Sequence, residues 1–65
     1  MTKSENLQVQ RATAVADSMP EYAASTLATL HRAANRRTQS EIVTIVNALG
    51  LSKHVSMVNG AMVAS

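Results

Sequence analysis

Apolar side chains recur at helical spacing in three stretches of the chain, and the clearest lies in its second half. Ile42, Ile45, Val46 and Leu49 stand at i, i+3, i+4 and i+7, one face of a helix. Gly50 follows where a left-handed C-cap is wanted, and Leu51 is placed to close on Val46. Upstream, Ala23, Leu27, Leu30 and Ala34 share a helical face. Pro20 lies in the first turn of that segment, where a missing amide hydrogen costs nothing. The first segment, about residues 3 to 17, is less regular. Its Leu7, Val9, Ala12, Ala14, Val15 and Ala16 are interrupted by Gln8, Gln10, Arg11 and Thr13. It reads as a helix with thin burial, and residues 1–5 are expected to fray.

Helix starts support this division. Thr2-x-x-Glu5, Ser18-x-x-Glu21 and Thr38-x-x-Glu41 each match the capping-box pattern, in which hydroxyl and carboxylate satisfy free amides reciprocally. Asn35-Arg36-Arg37 then reads as the link between the second and third helices. His31 and Arg32 in the preceding last turns, with Arg36 and Arg37 just beyond, complement the negative end of the second helix dipole.

The tail admits two readings. Ser52 could cap a fourth helix carrying Val55, Val58 and Met62. Asn59-Gly60 is instead a two-residue hairpin signal between His54–Val58 and Ala61–Ala64. The helix is the first expectation and the hairpin over 54–64 its alternative. The fold class expected is therefore all-α, a small bundle of three to four short helices, in a single domain over residues 1–65.

Composition adds the reason to expect a second chain. Sixty-five residues with one aromatic, Tyr22, and no cysteine leave little with which to build a core. Disulfides and the common zinc sites are excluded, and association is the remaining aid. A homodimer is expected. The net charge of +2 is too small to indicate nucleic acid by itself. The apolar runs are too short for a membrane span, and no signal-peptide pattern is evident, so the expectation is a cytoplasmic protein.

Candidate chemistry is sparse. His31 and His54 lack carboxylates at ligand spacing and read as surface histidines, so neither a metal nor another cofactor is expected. No Ser-His-acid pairing or glycine-rich phosphate loop can be drawn, so neither an enzyme nor a small-molecule substrate is expected. Gln39-Ser40-Glu41-Ile42 followed by Leu49-Gly50-Leu51-Ser52-Lys53 resembles the helix-turn-helix of DNA-binding proteins. That resemblance covers about a third of the chain. It departs from the pattern at Val46, where alanine is usual, and at Val55, three rather than four residues after the serine. It implies base contacts from Lys53, His54, Ser56 and Asn59, and phosphate contacts from Arg36 and Arg37.

The other reading is a small regulatory module, of the inhibitor, anti-activator or adaptor type, that binds a larger protein through an apolar helical face. Its fold or interface residues are Leu27, Leu30, Ile42, Ile45, Val46, Leu49, Val55, Met57, Val58 and Met62. Arg32, Arg36, Arg37 and Lys53 form its basic rim. Met57 and Met62, in a mostly apolar tail, are expected to seal the dimer or fill a partner's groove.

Overall fold

In the computed structural model of this chain, the first helix, α1 (Lys3–Val15), begins as its sequence predicts. The Thr2 hydroxyl accepts from the Glu5 amide at 3.2 Å, and the Thr2 amide donates to the Glu5 carboxylate at 2.7 Å. The next two starts are made differently. In α2 (Pro20–Ala33) the N-cap is Met19, and no side chain caps it. Pro20 fixes the first helical position, which leaves Ser18 one residue too early to reach the free amides. In α3 (Arg36–Ala48) the cap is Asn35, whose Oδ1 accepts from the Thr38 amide at 2.9 Å. Asparagine is as strong a cap as any residue, so the cap lies three residues before the expected Thr38. Thr38 becomes the third helical residue and is buried. The link between α2 and α3 shrinks to Ala34 and Asn35, and Arg36 and Arg37 belong to the first turn of α3.

The end of α3 follows its sequence closely. Gly50 takes φ +71°, the Leu51 amide donates to the Val46 carbonyl at 3.0 Å, and the Gly50 amide donates to the Asn47 carbonyl at 3.2 Å. These are the two bonds of a Schellman cap. Leu51 and Val46 lie in the same buried cluster.

The tail is a hairpin, which corrects the expectation of a fourth helix. Ser52–His54 makes a single 3-10 turn, followed by β1 (Val55–Val58) and β2 (Ala61–Ala64) paired antiparallel. Asn59 and Gly60 take φ 52° and 81°, the double positive φ that a tight two-residue turn demands. The short-range preference of Asn-Gly outweighs the helical spacing of Val55, Val58 and Met62. The chain is therefore mostly helical with a C-terminal two-stranded sheet, not all-α. No helix is long and apolar enough to cross a membrane.

The elements pack around α2. Its buried face is Ala23, Ala24, Leu27, Ala28 and His31. Ala12 of α1 and Ala16 at its C-cap, Ile42 and Val46 of α3, Leu51 and Met62 complete the core around it. The molecule is a slab of 28 × 27 × 16 Å, so most residues lie near a surface, and only 12 of 65 are buried.

The Gly50 cap gives a direct check. A Cβ at Gly50 would meet nothing within 4 Å, so its replacement costs only the left-handed backbone. Gly50→Ala is expected to lose about 1 kcal/mol in urea unfolding. An unchanged midpoint would show that the cap does not hold the helix end.

Candidate functional site

The residues expected to form an apolar interface divide by depth. Leu27, Ile42, Val46 and Met62 are buried and belong to the core. Leu30, Ile45, Leu49 and Val55 are half-buried and pack against it. Met57 and Val58 alone of that set are exposed, at 53% and 52%. The sequence treats Met57 and Met62 as equivalent. They are cross-strand partners on the same face of the hairpin, but Met62 inserts under α2 and Met57 overhangs the body.

The hairpin is apolar on its outer face as well. Ser56 is paired with Val63 and Val58 with Ala61, and these four point away from Met62. Val58 and Val63 are exposed there. From Val55 to Ser65 no side chain carries a charge. A solvated antiparallel face ordinarily carries polar side chains.

A second exposed apolar group lies where α1 turns into α2. Met19 is 54% exposed and Tyr22 is 56% exposed. They border a shallow hollow with Ser18, Pro20 and Glu21. The sequence does not single out Tyr22 as a surface residue, because an only aromatic is the natural candidate for a core. Its surface role is legible only once the buried face of α2 is known to be made from alanine, Leu27 and His31.

The basic residues are exposed. Arg32, at the end of α2, lies where a cation is favourable, and its guanidinium reaches the Thr29 hydroxyl at 3.5 Å. Arg36 and Arg37 have the opposite setting from the one expected. They occupy the positive end of α3, in a first turn with no acidic residue. Lys53 and His54 sit in the 3-10 turn, Ser56 on β1 and Asn59 in the hairpin turn. These four do not form a helix, so the second helix that the resemblance over 38–59 requires is not present. A helix–turn–helix order does occur one element earlier, as α2, the link Ala34–Asn35 and α3.

His31 departs from its expected surface position. It is only 2% exposed, and its Nδ1 has no hydrogen-bond partner. Its carbonyl accepts from Gln39 Nε2 at 2.9 Å, which ties the end of α2 to α3. A groove between α1 and α2 is lined by Ser4, Gln8, Ser25, Thr26, Thr29 and Leu30, none of them a carboxylate, imidazole or amine.

Comparison with protein families, with curated proteins and with solved structures finds no match to this chain.

The unlike depths of the paired methionines predict unlike costs. Met62→Ala is expected to destabilise by about 2 kcal/mol or more, and Met57→Ala by no more than about 0.5 kcal/mol. Equal midpoint shifts in thermal unfolding would contradict the packing of the hairpin through Met62.

Proposed function

We propose that this chain is a small regulatory interaction module, of the inhibitor, anti-activator or adaptor type. It acts by binding rather than by catalysis, works as a homodimer, and docks on a larger protein through apolar side chains that its own core does not use. The observation that carries this reading is the exposure of Tyr22. A tyrosine offers the largest apolar area available to this chain, yet the core is filled by alanine, leucine, isoleucine, valine and methionine. An exposed tyrosine beside an exposed methionine, at a rigid helix start, has the character of a binding hot spot. The partner it fits has an apolar pocket with an acceptor for the phenol hydroxyl.

The test is capture from a lysate of the source cell with the tagged wild-type chain and with a Met19→Ala, Tyr22→Ala double variant. Both side chains lie outside the core, so the circular dichroism of the variant is expected to be unchanged. A protein retained by the wild type and lost by the variant supports the reading. Identical capture by both overturns it.

A second reading, nucleic-acid binding, is favoured by one observation, the two arginines in the first turn of α3. Cations there oppose the helix dipole, and an anion would relieve the conflict. The exposed face of α3 continues through Ser40, Glu41, Thr44 and Asn47. This reading expects affinity for a DNA duplex that falls steeply with salt and weakens in an Arg36→Ala, Arg37→Ala variant. Fluorescence anisotropy showing no binding at about 10 µM protein in about 50 mM salt would remove it.

A further inference from the structure

The hairpin has one edge that the fold leaves open. β2 packs along α2, and its Met62 is buried, whereas β1 is the outer strand. The direction of the β1 backbone groups follows from the pairing. The Ser65 amide donates to the His54 carbonyl at 2.9 Å, and the register runs without a bulge from Val55↔Ala64 to Val58↔Ala61. Hydrogen-bonded and non-bonded pairs alternate along an antiparallel ladder. Ser56 and Val58 therefore turn their N–H and C=O groups toward β2, His54 turns only its C=O there while its amide donates to the Leu51 carbonyl at 2.9 Å, and Val55 and Met57 turn theirs away. The Val55 amide is used at once, donating to the Ser52 carbonyl. The Val55 carbonyl and both backbone groups of Met57 remain, pointing out of the edge.

Natural sheets guard such an edge with lysine, proline, a bulge or a covering element. β1 has none of these. Val55-Ser56-Met57-Val58 is uncharged, and its ladder is regular.

We propose that the occupant of this edge is the β1 edge of a second copy, paired antiparallel about a two-fold axis at Met57. This rests on the reading of the chain as a homodimeric module and specifies how the dimer is made. Each Met57 amide donates to the Met57 carbonyl of the other copy, and the two hairpins become one four-stranded sheet ordered β2-β1-β1-β2. A two-fold contact requires a surface that complements itself, and a strand whose central residue has both donor and acceptor free meets that requirement. The register sets Val58 of each copy opposite Ser56 of the other, covering part of a side chain that is 52% exposed in the single chain. Charge permits it as well. The antiparallel arrangement sends the two Lys53 residues to opposite ends, more than ~20 Å apart at ~3.4 Å per residue, well beyond screened repulsion.

A chain of this length is accessible by chemical synthesis, so the backbone itself can be altered. N-methylation of Met57 removes the outward amide hydrogen and leaves every side chain and the pairing with β2 in place. Sedimentation equilibrium over about 5 to 200 µM is expected to show a dimer for the unmodified chain. The N-methylated chain should keep its circular dichroism spectrum, with dimer affinity reduced on the order of 10-fold or more. Val63→Lys, on the outer face of β2 and away from the edge, is expected to leave the dimer intact. Dissociation by Val63→Lys with no effect of N-methylation would overturn the edge contact while leaving the homodimer standing. An unmodified chain that stays monomeric throughout would overturn both the edge contact and the homodimer, and Tyr22-dependent docking would still be decided by its own test.

Discussion

The close approach of neighbouring elements to the alanine face of α2 is the constraint on which the rest of this structure depends. Ala23, Ala24 and Ala28 flank Leu27 there, and Ala12 of α1 and Ala16 at its C-cap are buried with them. Small side chains let backbones come near, so α2 can be flanked by α1, α3 and the hairpin together. Each alanine removes little area from water, and stabilisation has to come from density of contact rather than from large anchors. The chain spreads around one helix as a slab, and most residues keep a solvent face.

Much of this arrangement was legible where a local signal had no competitor. Thr2 with Glu5, and Gly50 with Leu51, formed the cap geometries their spacing implied. Ile42 and Val46 turned inward as their periodicity required. Legibility failed where two local signals lay within a few residues of each other. Pro20 displaced Ser18 as the marker of a helix start, and Asn35 displaced Thr38. Asn59-Gly60 decided against a helix in the tail, because two residues that accept positive φ favour a turn wherever flanking residues suit strands. Pro20 and Asn59-Gly60 won through their backbone requirements, and Asn35 through its side-chain cap on the Thr38 amide.

Other features could not be read from one element at a time. His31 is buried because the inward face of α2 is broader than its leucine stripe and includes a polar side chain one turn beyond Leu27. Met57 and Met62 share a face of the hairpin, and which of them is covered depends on which strand lies against α2, which no spacing within the tail records. The setting of Arg36 and Arg37 reversed with a shift of three residues in one helix start. The same charges that would have completed the end of α2 instead crowd the start of α3, and a surface that looked electrostatically settled holds an unanswered positive charge.

The depths of the methionines have a consequence in redox chemistry. Met19 and Met57 stand in solvent, Met1 is 37% exposed, and Met62 is 1% exposed. A mild oxidant converts thioethers to sulfoxides in the order in which it reaches them. Sulfur at Met62 can react only when the hairpin lifts from α2, and the polar product could not return to the same apolar site. In a population of chains held with such an oxidant and no reductant, Met62 sulfoxide would therefore accumulate as fast as chains first expose that sulfur, a chemical clock for the detachment of the sheet.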